Sequence, residues 1–327
     1  MISRLAVAGA VAGVIGLILG IAALSIWWRF DRDIKLASAR VAHGSALIAT
    51  RCGPVEYQEA GTGVPLLAVH GSGGGYDQGM AFAGALAHQG IRVIAMSRFG
   101  YLRTPMPADA SAAAQADAHV CLLDALGIRQ AAVMGGSAGA PSALQMAIRH
   151  PDRVSALVLL VPLAYKPATQ ADSAAPLPPW VESTMMQLIG SDFLFWSALH
   201  VARNALIKVV LATPPDLVAS ASPQERARVS AMLDNILPVS VRAEGLRSDT
   251  AVGKHLAPAP LESIRAPTLI ISARDDGYGT YASAQYTAGR IGGAKFIGFA
   301  EGGHTLVGHD DEVLAEIVKL LVPPVGP

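Results

Sequence analysis

From residue 55 onward, short apolar runs alternate with stretches of helical period. Residues 65–69, Pro-Leu-Leu-Ala-Val, form one such run, and predominantly apolar runs recur at 91–96, 131–134, 154–161, 268–271 and 294–299. Runs of this length between turn signals predict strands covered on both faces. Residues 55–59 alternate apolar and polar instead, which predicts a strand with one wet face. Helical patterns fill the intervals at 80–88, 110–126, 140–150, 281–290 and 311–321. The alternation predicts an α/β fold with a mostly parallel sheet and helices on both faces.

Two stretches break the pattern. Between about 164 and 261 no buried strand is expected. The segment opens Pro-rich and continues with apolar helical patterns at 181–189, 193–211 and 223–237, so it reads as a helical insertion. The other exception is LAVAGAVAGVIGLILGIAALSIWW, residues 5–28, which carries no charge. As a helix it would span ~36 Å, against a bilayer core of ~30 Å. Trp27 and Trp28 close it where aromatic rings favour the membrane interface, and Arg29 follows. A cleaved signal peptide is the alternative, but its apolar core would be shorter, ~7–15 residues. The cleavage-like Ala37-Ser38-Ala39 lies beyond Arg29, Asp31, Arg32, Asp33 and Lys35. The expected organisation is a transmembrane anchor at 1–30, a connector at 31–47, a core at 48–163 and 262–327, and a helical cap at 164–261. Arg29, Arg32, Lys35 and Arg40 follow the span and Arg4 precedes it, so flanking charge favours a cytoplasmic catalytic domain on a single-pass membrane protein.

Composition adds three points. Of 327 residues, 52% are apolar, enough for a sizeable core. The formal net charge is zero, which argues against a nucleic-acid partner. Cys52 and Cys121, the only cysteines, fit no redox or zinc spacing; they are expected as structural thiols, with a disulfide as the alternative. No metal motif or cofactor motif is found.

The candidate chemistry gathers at strand ends. Gly135-Gly136-Ser137-Ala138-Gly139 joins an apolar run to a helical pattern, as a nucleophile elbow does. Such a turn strains the serine backbone by about 1–2 kcal/mol and leaves little room beside it. A plain glycine-rich turn without chemistry is the alternative. Upstream, a strand runs into His70-Gly71-Ser72-Gly73-Gly74-Gly75, a loop able to expose backbone N–H groups. A dinucleotide-binding turn does not fit it, because the G-x-G-x-x-G pattern is not met. His70 itself is expected to be structural. Downstream, one strand ends in Ala273-Arg274-Asp275-Asp276 and the next in Glu301-Gly302-Gly303-His304, with His309 as a fallback base. The order Ser, Asp, His then sits at the carboxyl ends of parallel strands.

Together HGSGGG, GGSAG, SARDD and EGGH resemble the α/β-hydrolase fold family over nearly everything from residue 48 on. The resemblance implies a catalytic Ser137, His304 and Asp276, with Asp275 as the alternate acid. It also implies an oxyanion hole from the N–H groups of Ser72 and Ala138, and a cap at 164–261. In place of the family's D-x-x-G-x-G-x-S segment stands Ser97-Arg98-Phe99-Gly100-Tyr101-Leu102-Arg103-Thr104-Pro105. There Arg98 and Tyr101 are expected to pin the loop, with substrate binding as the alternative. A serine nucleophile points to hydrolysis of a small apolar carboxylic ester through an acyl-enzyme. The alternatives are carbon–carbon bond hydrolysis of ring-cleavage products, cofactor-free perhydrolysis, and a membrane-tethered binding module. The carbon–carbon reading asks for an arginine able to hold an acidic substrate; Arg98, Arg203 and Arg242 are the candidates. In the cap, Trp180, Met185, Met186, Phe193, Phe195 and Trp196 are expected mostly to pack, with a few facing substrate. Oligomeric state is not legible.

Overall fold

The computed structural model describes residues 4–167, 187 and 190–322. The Pro-rich start of the insertion, most of the helix expected at 181–189, Trp180, Met185, Met186 and the final PPVGP lie outside these residues.

The core is an eight-stranded sheet: β1 Ala46–Thr50, β2 Gly53–Ala60, β3 Val64–Val69, β4 Ile91–Met96, β5 Ala131–Gly136, β6 Val154–Leu160, β7 Thr268–Ala273 and β8 Lys295–Phe299, in the order β1-β2-β4-β3-β5-β6-β7-β8. β3 to β8 run parallel, while β1 and β2 form an antiparallel hairpin whose second strand pairs antiparallel with β4. Alternate residues of each central strand enter different cores. Leu67 and Val69 join Ile94, Val133 and Leu159 on one face, while Leu66 and Ala68 join Val93, Met134 and Val158 on the other. That double burial is why these strands read as continuous apolar runs.

Helices cover both faces. α2 Tyr76–Ala83 and α11 Asp310–Leu321 lie on one; α3 Ala112–Ala125, α4 Ala140–Arg149 and α10 Thr280–Arg290 lie on the other. Local chemistry fixes their starts. Ser111 Oγ accepts from the N–H of Ala114 at the head of α3, and Asp310, Asp311 and Glu312 place negative charge at the positive end of α11.

The insertion between β6 and β7 is helical where described: α5 Asp192–Val201, α6 Arg203–Val209, α7 Pro215–Ser220, α8 Pro223–Asp234 and α9 Ala243–Lys254. The single helix expected over 193–211 breaks in two at Ala202, whose φ of −140° is not helical. Phe195 and Trp196 are buried in a cluster formed mostly by the insertion's side chains, with Val307 of the core; Phe193 is exposed.

Two expectations are corrected. The connector at 31–47 is not a separate segment, because one unbroken helix, α1, runs from Arg4 to His43. Beyond Trp28, the spacing of Phe30, Ile34, Ala37 and Val41 lays one apolar stripe on the protein: the first three pack on the insertion's cluster, and Val41 is buried. Nor are the cysteines free thiols. Cys52, in the β1–β2 turn, is disulfide-bonded to Cys121 in α3.

Candidate active site

β5 ends in the elbow. Ser137 has a φ of +47°, a region that L-residues occupy at a cost, and α4 opens three residues later. A Cβ on Gly139 would meet the Val69 and His70 carbonyl oxygens at 2.5 and 2.6 Å, and one on Gly135 would meet Ala143 Cβ at 2.8 Å. The turn therefore requires both outer glycines. Gly136 is different: its nearest neighbour would be Phe82 at an ordinary 3.5 Å. Ser137 is part-exposed, and its Oγ makes no hydrogen bond among the described residues.

The sheet brings Asp276 and His304 together from the ends of β7 and β8. His304 Nδ1 lies 2.8 Å from Asp276 Oδ2. The carboxylate also accepts from the Thr280 hydroxyl and from the Tyr278 N–H, the latter at 2.9 Å. Burial pushes the Asp276 pKa up. The charge and hydrogen bond of His304, with the bonds from Thr280 and Tyr278, outweigh it, so the pKa lies below the usual aspartate value. Among the described residues no hydrogen bond joins His304 to Ser137; such bonds are often loose before substrate arrives.

Asp275 is not a solvated charge. Its carboxylate accepts from the N–H groups of Gly303 at 2.8 Å and Gly302 at 3.2 Å, and so holds the loop that presents His304. The insertion clamps the same loop. Ala212 O accepts from Gly277 N at 2.9 Å and His304 N at 3.3 Å. Thr213 Oγ1 accepts from Thr305 N, Arg228 donates to Thr305 O, and Glu225 accepts from Gly308 N. These supports were not legible in the sequence, because they come from motif-free residues of the insertion, Ala212 and Thr213 between α6 and α7 and Glu225 and Arg228 in α8. The fallback His309 stacks on Phe299 at 3.7 Å and faces the Glu301 carbonyl instead.

The glycine-rich loop lies against the elbow, since a Cβ on Gly71 would approach Ser137 Cβ to 3.1 Å. His70 is fully buried. Its Nδ1 faces Gly71 O at 2.6 Å and its Nε2 accepts from Arg98 N at 2.9 Å. Burial and then the Arg98 charge hold its pKa well below the usual value, so it stays neutral and structural. Arg98 donates to His70 O, to Gly71 O and twice to Asp249 of α9 at 2.7 Å. Tyr101 Oη and Ser72 Oγ share the same carboxylate, at 2.5 and 2.9 Å. Arg98 and Tyr101 thus pin the loop, as expected, and tie it to the insertion.

The other candidate arginines are also committed. Arg203 pairs with Asp234 at 2.5 Å, and Arg242 with Asp77 at 2.7 Å. A cavity of about 360 Å³ lies between α4, α10 and the segment after α9. Leu144, Leu163, Tyr165, Leu256 and Tyr286 line it, and Leu163 N donates to Ser137 O at 3.0 Å. No cluster of potential metal ligands occurs among the described residues.

Strand order, elbow and loops match a known architecture. The sequence profile of the α/β hydrolase fold fits residues 64–308, and the chain belongs to that family. A solved α/β-hydrolase fold protein from Nakamurella multipartita is 27% identical, with a TM-score of 0.67 over 85% of this chain and 98% of its own. An uncharacterised hydrolase of Bacillus subtilis, YcgS, is 28% identical over 78% of this chain and 89% of its own. A 2-hydroxymuconate semialdehyde hydrolase of Pseudomonas putida is 43% identical, but over 31% of this chain and 37% of that protein. The fold and these relatives support a hydrolase.

Proposed function

We propose that the protein is a serine hydrolase acting on a carboxylic ester. The observation that carries this reading is an unbonded hydroxyl at a strained elbow, on the same sheet edge as a histidine oriented by a buried aspartate. Ser137 Oγ attacks the carbonyl carbon while His304 Nε2 takes its proton. Asp276 fixes the ring and stabilises the cation. The N–H groups of Ser72 and Ala138 receive the oxyanion, each worth about 3 kcal/mol by analogy with measured cases. His304 returns the proton to the leaving alcohol, and water then releases the acid by the same steps.

Carbon–carbon bond hydrolysis is the second reading. It is favoured by the name of the Pseudomonas putida relative, a 2-hydroxymuconate semialdehyde hydrolase. Against it, Arg98, Arg203 and Arg242 are all engaged internally, so none is offered to an acidic substrate.

The apolar half of α1 is long enough to cross a membrane and none of that window is buried. We propose that it anchors the enzyme, with the catalytic domain on the oxidising side, where a disulfide persists. The chemistry is tested with p-nitrophenyl esters, a ring-cleavage product and a fluorophosphonate. Wild type is expected to hydrolyse the esters and to be labelled. Ser137→Ala is expected to lose both properties and keep its melting temperature. Full ester turnover by Ser137→Ala would refute the assignment, and turnover of the ring-cleavage product alone would favour the second reading.

A further inference from the structure

The helix that carries the apolar span reaches the site. Near its end, Arg40 Nη1 donates to Asp77 Oδ2 at 2.7 Å, and its Nη2 donates to the carbonyls of Leu237 at 2.6 Å and Asn235 at 3.2 Å. Asp77 is the second residue of α2, directly after the glycine-rich loop. Arg242, with no exposed side-chain surface, forks onto the same carboxylate at 3.0 and 2.7 Å. It also donates to Gly74 O at 2.5 Å, inside the loop, and to Asn235 O at 3.0 Å. Asp77 Oδ1 further accepts from Gln78 N, and Gln78 Oε1 accepts from Gly71 N at 2.8 Å. A continuous chain of charge-assisted bonds therefore runs from α1 through Asp77 and Arg242 to the loop that carries Ser72.

The balance of charge makes Arg40 more than a surface strut. One buried carboxylate faces two guanidinium groups, and burial raises its pKa less than the bonds and charges of Arg242 and Arg40 lower it. The surplus positive charge is absorbed by the carbonyls of Gly74, Asn235 and Leu237, so each carbonyl is held where the cations need it. A second contact fixes the end of the helix: Tyr76 Oη donates to the Val41 carbonyl at 3.1 Å. Tyr76 is the first residue of α2, so both anchors of α1 fall on the turn that leaves the loop.

We propose that Arg40 is a positioning residue for the oxyanion loop, so that docking of the membrane helix is coupled to catalytic rate; this rests on the serine-hydrolase reading. The hole acts on charge that develops in the transition state, so loss of its alignment lowers kcat and leaves ground-state binding nearly unchanged.

The test uses the full chain in detergent, with active sites counted by fluorophosphonate titration and kcat and KM measured on a p-nitrophenyl ester. In Arg40→Ala and Arg40→Gln, kcat per titrated site is expected to fall roughly 10- to 100-fold, the scale of a small misplacement at the reacting centre. KM is expected to stay within about threefold, and Arg40→Lys, whose single ammonium cannot bridge Asp77 and both carbonyls, to recover only part of the rate. A kcat per titrated site equal to wild type in Arg40→Ala would overturn the proposal; if the alanine variant does not fold, the same result in Arg40→Gln would overturn it. A wild-type chain left unlabelled at Ser137 would overturn the serine reading itself, a result distinct from a labelled enzyme indifferent to Arg40.

Discussion

Two adjacent carboxylates near His304 do different work. Asp276 meets the histidine Nδ1, whereas Asp275 meets the two glycine N–H groups before it. An acid and a base could be located at neighbouring strand ends from sequence, because the motifs are local. Choosing between neighbouring aspartates needed the family pattern, and the role of Asp275 could not be read at all, since its partners lie 27 and 28 residues away. The distinction is measurable. Asp276→Asn offers a neutral amide to the imidazole and favours the wrong tautomer. By analogy with other triads, its kcat is expected to fall by about 10⁴-fold with the fold retained. Asp275→Asn keeps one acceptor for the loop, so its rate is expected to fall less than about tenfold while its melting temperature drops. Steady-state kinetics and thermal melts of the pair decide the matter; the reverse ranking would exchange the two roles.

Elements buried on two faces were legible, and elements defined by a neighbour were not. The central strands are apolar on both sides and announce themselves. β1 is a five-residue edge strand, exposed or half-exposed throughout, so its sequence carries little pattern. α7 is short and α9 polar, so tertiary contacts fix them, for α9 through Asp249 bonded to Arg98, Tyr101 and Ser72. The continuity of α1 was hidden for another reason: its composition changes at Arg29 although its backbone does not. The apolar half is exposed over its described side chains at 10–28, while the polar half hides one stripe against the insertion. There Phe30 meets Phe193 and Trp196 edge-on at 5.2 and 5.7 Å, and Trp196 Nε1 donates to Asp33 at 3.0 Å. Two truncations should therefore differ. Deletion of residues 1–29 removes, among the described side chains at 10–29, only exposed ones, and is expected to give a soluble domain with a near-normal urea midpoint. Deletion of residues 1–44 also strips Phe30, Ile34, Ala37, Arg40 and Val41. Full burial of a large apolar side chain is worth about 1.5–3 kcal/mol, and of these only Val41 is buried while Phe30, Ile34 and Ala37 are part-buried, so that chain is expected to lose a few kcal/mol or to aggregate. Equal midpoints would show that the docked half of α1 contributes nothing to stability.

At the scale of the whole molecule, two signals disagree about which side would hold the catalytic domain of an enzyme anchored by α1 as proposed. Arg29, Arg32, Lys35 and Arg40 follow the apolar span, and by flanking charge alone they favour the cytoplasm. That preference is a statistical bias, and here the basic residues are interleaved with Asp31 and Asp33, which pair with Lys35 and Arg32 at 2.7 and 2.8 Å. The disulfide is a chemical requirement. Cys52 and Cys121 stand 69 residues apart, and closing a loop of that length stabilises the fold by about 4 kcal/mol in the chain-entropy account. Reducing compartments keep such pairs as thiols, so the bond points to an oxidising side. Sealed vesicles of both orientations test this. With the catalytic domain outside the cytoplasm, protease should digest it in right-side-out vesicles and spare it in inverted ones. Protein denatured directly in maleimide should then show no modified cysteine until it is reduced. Digestion confined to inverted vesicles, with both cysteines modified without reduction, would place the domain in the cytoplasm and show that Cys52 and Cys121 remain thiols there.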